Sequence, residues 1–421
     1  MDGNLWNLYP QCKARQPQGA GCERLDAGSD VKRRTDSATP GGCSKVPSVL
    51  KPGPYFMQGD EACAEGAIAA GCDYYAGYPI TPASEIMERI CQRFAGLSGR
   101  VFMQMEDEIA SIASVVGASW AGARAMTATS GPGISLMLEN IGYAIITETP
   151  CVVVDVQRAG PGTGQATRPA QGDFMQARWG AHGDYEIIVI SPWSVQEAYD
   201  ETIRAFNLAD RFRVPVMFLM EEGVGHLREN MQVPAQTSIY PRVEEVGKAP
   251  FGEAEVPPMP RFGAGARLLV TGSTHDAWGY RKTVSNEAQA QLVERLCSKI
   301  LNHRQEIERT HTHLCDEDDL DILLVSFGFA ARSALGAVRL ARQAGIKAGL
   351  LRLTTLWPFP EETVKRVTAR ARSVLVVEMN RGQMLREVQR VAPHAVGCNK
   401  TDGEVITAPD VLAALRQEMR A

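Results

Sequence analysis

Apolar and polar positions along this chain fall into short blocks whose period switches between that of a strand and that of a helix. Downstream of Tyr55 the small and apolar residues predict a helix over residues 61–70, ended by Gly71, which suits the left-handed position after a helix. A short strand at Tyr74-Tyr-Ala-Gly-Tyr follows, then the turn Tyr78-Pro79-Ile80-Thr81-Pro82 and a helix from Ser84 to about Phe94. Pro82 keeps Thr81 out of the helical region. Thr81 is therefore expected at the C-terminal end of a strand, where open α/β sheets place their ligands. Three acids, Glu106, Asp107 and Glu108, then head a helix to Trp120 that carries little polar beyond serine. A strand from Arg124 runs into the glycine turn Ser130-Gly131-Pro132-Gly133 and a helix to about Ile146. The apolar strand from Cys151 delivers Arg158 to a glycine-rich loop that continues to Asp173. A strand near Tyr185–Pro192, a helix over 195–210 and a strand over 214–220 close the unit. Strands alternating with helices predict an α/β fold with a doubly wound parallel sheet.

Outside that unit the pattern changes. Residues 1–53 show no sustained period and are rich in Gly, Pro, Ser, Arg and Lys, which predicts a disordered extension. Residues 54–240 make the first domain, and 241–317 read as a connector with one amphipathic helix whose stripe is Leu292, Leu296, Ile300 and Ile307. Residues 318–421 form a second, smaller α/β domain with strands at Asp321, Ala348 and Ser373.

The 421 residues are 44% hydrophobic and 22% charged, ordinary for a globular protein, and the net charge of −5 gives no electrostatic case for nucleic acid. No run approaches the roughly 18 apolar residues of a spanning helix. The first residues have neither a basic nor an apolar leader segment, so a cytoplasmic location is expected. Ten cysteines are present, none in a Cys-x-x-Cys pair, and no metal is expected in this chain. Cys12, Cys22 and Cys43 are irregularly spaced. His311, His313 and Cys315 have a metal-compatible spacing, but beside four acids a solvated helix end is the simpler reading.

The acids at 106–108 hold the sharpest chemistry. A carboxylate there either caps the helix or is a buried catalytic group. Ala110, Ser111, Ala113, Ser114, Gly117, Ala118 and Ser119 let a backbone or a flat ligand pack very close. Ser130-Gly131-Pro132-Gly133 alone is a weak phosphate loop, without the Lys-Ser/Thr of a Walker motif.

Gly77-Tyr-Pro-Ile-Thr-Pro, Met105-Glu-Asp-Glu-Ile-Ala-Ser, Thr127-Ala-Thr-Ser-Gly-Pro-Gly, Gln157-Arg with its glycine loop, and Gln176-Ala-Arg-Trp-Gly-Ala-His-Gly-Asp come in one order. In that order they resemble the alpha subunit of 2-oxoacid:ferredoxin oxidoreductases, most closely the 2-oxoglutarate type. The resemblance runs from about residue 55 to the end, and Thr-Thr-Leu-Trp-Pro-Phe-Pro looks like the C-terminal domain of transketolase-like enzymes. It implies a thiamine-diphosphate pyrimidine-binding domain and the oxidative decarboxylation of 2-oxoglutarate with coenzyme A to succinyl-CoA, CO2 and reduced ferredoxin. It assigns Glu108 as the acid on the aminopyrimidine ring, and Tyr78, Pro79, Ser130 and Gly131 to the cofactor. Thr81 and Arg158 resemble the residues that hold the substrate carboxylate, with Arg168, Arg178 and His182 as candidates for a distal carboxylate.

An absence bears on partners. The diphosphate half of a thiamine site shows Gly-Asp-Gly and a later Asn that hold Mg2+. Here Gly59-Asp60, Gly172-Asp173 and Gly183-Asp184 lack the second glycine. The resemblance thus implies a beta subunit that supplies the Mg2+ half and a [4Fe-4S] cluster, with gamma and delta subunits also known in the family and ferredoxin as acceptor. Branched-chain 2-oxoacids or pyruvate are the rival substrates, a lipoamide-linked dehydrogenase beta-type subunit is the rival enzyme, and a nucleotide-binding scaffold is the non-catalytic alternative.

Overall fold

The apolar runs at the heart of the chain are buried on both sides, as Val152, Val153, Val154 and Val156 on consecutive positions of one strand show. A computed structural model describes residues 42–315 and 319–420; Cys12, Cys22 and the rest of 1–41 lie outside the described residues. The main sheet is eight-stranded. Its path runs Thr355–Trp357, Ile188–Ile190, Pro215–Glu221, Cys151–Ala159, Ala125–Thr129, Tyr74–Gly77 and Val101–Gln104, and Gln165–Pro169 pairs with Cys151–Ala159 off that path. The strands between Ile188 and Val101 on this path are mutually parallel. Side chains alternate between faces. Val152, Val154 and Val156 pack with the helices Gly59–Ala69, Ser84–Phe94 and Val195–Phe212, and Val153 packs with Glu108–Trp120 and Gly131–Ile146. This is the doubly wound parallel α/β fold the pattern predicts.

The strand order places the site. From Tyr74–Gly77 the chain moves outward to Val101–Gln104, then returns past its start to Ala125–Thr129. The crevice where the order reverses opens at the C-terminal strand ends, between the Tyr78–Pro82 turn and the Ser130–Gly133 turn.

A second, five-stranded sheet runs Thr310–His313, Ala348–Leu353, Leu320–Phe327, Ala371–Glu378 and Val396–Asn399, parallel except for its first edge. That edge corrects the reading of His311 and His313 as a helix end. Thr-His-Thr-His has the period and the β-branched residues of a strand, and it pairs antiparallel with Leu350–Leu353. Within the described end of the predicted extension, residues 42–53, Ser44–Pro47 is a strand that pairs antiparallel with Gln236–Ile239. Ile307 leaves the predicted long helix and sits in the short helix Arg304–Ile307 after Asn286–Leu301.

The two units interlock. Thr355–Trp357, from the proline-stiffened turn of the second unit, pairs antiparallel with Ile188–Ile190 at the edge of the first sheet. Gln171 binds the Met379 backbone in both directions, at 2.9 and 2.8 Å. The connector is pinned by charge. Arg213 donates to the carbonyls of Pro250, Pro257 and Pro258, and the fully buried Glu148 accepts from Arg295 and Lys299 of the Asn286–Leu301 helix at 2.6 and 2.9 Å. None of the described helices is long and apolar enough to cross a membrane.

Candidate active site

The acids at 106–108 divide their roles by one residue of backbone. Asp107 is extended and accepts from the Ala110 N–H at 2.7 Å, so it is the N-cap. That frees Glu108, which is the first helical residue and 5% exposed. The hydrogen bond recorded for its carboxylate is a long one, 3.5 Å from Thr129 Oγ1. Gly133 is required beside it. A Cβ there would stand 2.7 Å from Glu108 Oε1 and 2.0 Å from Thr129 Oγ1, so the Gly131–Ile146 helix meets this carboxylate only through glycine. Along the same Glu108–Trp120 helix, Ile109, Ala113 and Gly117 form an exposed stripe of one apolar and two small residues.

Across the crevice, Arg158 ends the central strand and donates from Nη1 to the Thr81 carbonyl at 2.7 Å. Two residues proposed for one ligand carboxylate, 77 positions apart in sequence, thus meet. Arg158 is largely buried and its Nε has no hydrogen-bond partner among the described residues, which leaves a donor of the guanidinium fork for a bound anion. Thr81, Tyr78 and Pro79 lie exposed on the turn. Ser130 is extended at the N-cap of the Gly131–Ile146 helix, yet its buried Oγ neither caps the helix nor has another partner among the described residues.

Sequence reading missed an acid pair. Asp155 is fully buried with no hydrogen-bond donor among the described residues on either oxygen, and it lies within hydrogen-bonding reach of Asp173. Two acceptors facing each other need a shared proton. Burial, then the charge of Asp173, pushes Asp155 well above the ordinary carboxylate range. Burial lifts Asp173 to about 6, against the pull of its bond to Asp155 and of Arg158. Asp173 also backs the glycine turn, because a Cβ on Gly131 would lie 2.9 Å from its Oδ1. Farther along, Glu221 is buried and raised to about 7 while accepting from Gln171 and the Phe329 N–H.

A cleft of about 860 Å3 opens in front of Arg158 between the two units. Gly131, Asp173 and Gln176 line one side, and Asn380, Arg381 and Lys400 line the other. Asn380 braces this loop, donating to the Gln171 carbonyl and accepting from the Gly382 and Gln383 N–H groups. Of the distal candidates, exposed Arg168 pairs with Glu404 at 2.6 Å across the cleft mouth. Arg178 is withdrawn. It is buried, paired with Glu186 at 2.8 Å and seated 3.9 Å over the Trp179 ring, with Tyr185 and Trp357 around it. His182 is exposed against Gly142, in the last turns of its helix and outside the cleft lining.

Comparison with known proteins gives the arrangement a family. A profile described as pyruvate flavodoxin/ferredoxin oxidoreductase, thiamine diphosphate-binding, matches residues 65–295, and pyruvate:ferredoxin oxidoreductase core domain II matches residues 320–411. The 2-oxoglutarate synthase subunit KorA of Methanothermobacter thermautotrophicus is 52% identical, over 80% of this chain and 91% of its own length. The ketoisovalerate oxidoreductase subunit VorB of the same organism is 37% identical, over 86% of this chain and 97% of its own. A solved structure, the 2-oxoglutarate:ferredoxin oxidoreductase of Magnetococcus marinus with 2-oxoglutarate, coenzyme A and succinyl-CoA bound, superposes with a TM-score of 0.81 at 29% identity. It is matched over 87% of this chain and 65% of its own. With a thiamine-diphosphate-binding profile over residues 65–295 and a relative 52% identical over nearly its whole length, the chain belongs to the 2-oxoacid:ferredoxin oxidoreductase family, as one subunit of a multi-subunit enzyme.

Proposed function

We propose that this chain supplies the pyrimidine half of the thiamine site in an enzyme that oxidises 2-oxoglutarate with coenzyme A to succinyl-CoA and CO2, passing electrons to ferredoxin. The observation that carries the reading is Glu108: a carboxylate buried at a glycine-lined crevice, released from capping by Asp107 and held by one long bond. Such a group is short of a donor, and an aminopyrimidine offers one. The residues present fit the cofactor. Glu108 would hold its ring, Ser130 has an unpaired hydroxyl at the glycine turn, and Gly131 and Gly133 leave room where any side chain would collide. Thiamine diphosphate, when bound, supplies a carbon nucleophile and an electron sink for decarboxylation.

The chain's own part is to hold protons and charges in place. Glu108 accepts from the ring and can exchange a proton with it, and its buried setting strengthens that bond. Arg158, aimed by the Thr81 carbonyl, meets the carboxylate next to the reacting carbonyl. Arg381 and Lys400 on the far side of the cleft stand where a second carboxylate or an anionic co-substrate would enter, which favours 2-oxoglutarate over branched-chain acids. Arg168 remains at the mouth in a minor role.

The other half of the site is assigned to a beta subunit that brings Mg2+ and the iron–sulfur cluster. The exposed stripe Ile109, Ala113 and Gly117 beside Glu108 is the face on which it would close. The experiment is purification of the native complex, with thiamine content and 2-oxoglutarate- and CoA-dependent viologen reduction measured on it. A co-purifying iron–sulfur subunit and that activity are expected. A complex that oxidises only branched-chain acids, or a chain that comes down without thiamine, would overturn the reading.

A further inference from the structure

A second cluster, drawn from three separate segments of the chain, lies outside the cleft lining. Asp60 opens the Gly59–Ala69 helix, Glu85 lies in the first turn of Ser84–Phe94, and His226 follows the short helix Glu222–Gly225. The fold drives Asp60 into this position. A Cβ on Gly59 would lie 2.1 Å from the Val224 carbonyl oxygen, and one on Gly225 would lie 2.7 Å from Asp60 Oδ1, so the two backbones touch through glycine. Asp60 is fully buried, and neither of its oxygens has a hydrogen-bond partner among the described residues. His226 Nε2 is also buried and without a hydrogen-bond partner among them.

The distances suit an ion better than direct pairing. His226 Nε2 stands 3.7 Å from Asp60 Oδ2 and 3.6 Å from Glu85 Oε1, beyond hydrogen-bond length. A tetrahedral ion with bonds of about 2.1 Å sets its ligand atoms roughly 3.4 Å apart. Here a ligand atom from each of the three residues lies within 4.8 Å of the others. The imidazole is oriented for the task. Its Nδ1 lies 3.1 Å from Glu222 Oε1, and an N–H donated there leaves Nε2 as the free lone pair. A carboxylate behind a histidine is the usual support of a metal-bound imidazole. Nearby Arg228 pairs with Glu61 instead, at 3.7 Å.

We infer that Asp60, Glu85 and His226, backed by Glu222, bind one divalent first-row metal ion, Zn2+ or Mn2+, at a structural site separate from the thiamine crevice. One imidazole nitrogen and two carboxylates make a hard-to-borderline donor set that suits these ions. The ion ties the first turns of two helices to the segment leaving Pro215–Glu221, and one of those helices, Ser84–Phe94, follows the turn that carries Thr81.

The test uses the assembled enzyme, treated with a chelator and then equilibrated with Zn2+ or, separately, Mn2+. Metal retained after gel filtration is counted by mass spectrometry. One equivalent per copy of this chain is expected beyond what the Mg2+ site of the thiamine half takes up, and that equivalent is lost in both Asp60→Asn and His226→Gln. Glu222→Gln keeps the stoichiometry and weakens affinity by about tenfold to a hundredfold, the effect of removing a supporting carboxylate. Glu85→Gln, on the solvent side, guards against a folding failure of the buried variants and loses the ion as they do. No retained metal in the unaltered enzyme, or the same amount in the unaltered enzyme and Glu85→Gln, would overturn the site and leave His226 as an ion-pairing imidazolium.

Discussion

Glu108 and Glu148 are both buried glutamates of the first domain, and their surroundings are opposite. Glu148 is answered on every side: Arg295 and Lys299 bind its oxygens, and Arg213 binds its carbonyl. Glu108 has one weak hydroxyl contact, a glycine in front, and small exposed residues along its helix. A buried charge without partners is costly. Folding alone does not explain why such a group is kept, whereas a ligand that completes it does. Asp155 extends the contrast, since among the described residues it too is buried without a donor on either oxygen, while the Glu148 cluster locks the connector down.

That contrast can be broken by exchanging the effects of the two glutamates. Glu108→Gln is expected to leave the complex assembled and to lower turnover by about a hundredfold or more, the range for losing an acid–base group. Steady-state assay beside gel filtration measures both, and unchanged turnover would move the chemistry elsewhere. Glu148→Ala should do the reverse, costing about 3–5 kcal/mol of stability by leaving buried cations unpaired, with turnover per assembled complex unchanged. Acid sharpens this second case. Burial alone would raise Glu148, but Lys299, Arg295 and Arg213 together hold it at about 2. A lowered carboxylate stabilises the folded state above its unfolded value, near 4.3, and loses that contribution as pH falls through about 2. Glu148→Gln and the unaltered protein should therefore differ most in denaturant midpoint at neutral pH and converge in strong acid.

Smaller effects lie at the crevice rim. Arg158→Ala is expected to raise KM for the 2-oxoacid by roughly tenfold with a lesser change in kcat, if the guanidinium grips substrate and transition state alike. Equal parameters would remove it from the site. Asp173 gives the smallest and most specific signal. Its folded value of about 6 lies above the unfolded one, so its contribution to stability is present below about 4 and is lost as pH rises through 6. Asp173→Asn should thus gain in apparent Tm relative to the unaltered complex between pH 4 and 7, and a pH-independent difference would contradict the shared proton.

Much of this was readable from local pattern. Pro82 after Thr81 marked a strand end, and the glycines at 131 and 133 marked a close approach. The acids at 106–108 marked a helix start, with Asp107 settling as its cap. What pattern could not give was pairing across the fold. Asp155 looked like one polar residue in an apolar strand, and only the path of the glycine loop brings Asp173 against it. Arg178 looked like a free cation beside the site, but three aromatic rings contributed by Trp179, Tyr185 and the distant Trp357 enclose it. Asn380, Arg381 and Lys400 reach the cleft from a separate unit, with no motif to announce them. Asp60, Glu85 and His226 are equally scattered along the chain.

The most direct measurement is exchange of the proton at the reacting carbon of bound thiamine diphosphate, followed by NMR after acid quench, in the assembled enzyme and in its Glu108→Gln form. If Glu108 is the ring's acid, exchange slows by about a hundredfold or more in the variant while thiamine stays bound. Exchange at the same rate in both, with thiamine bound in both, would contradict the assignment of this carboxylate and of the pyrimidine half to this chain.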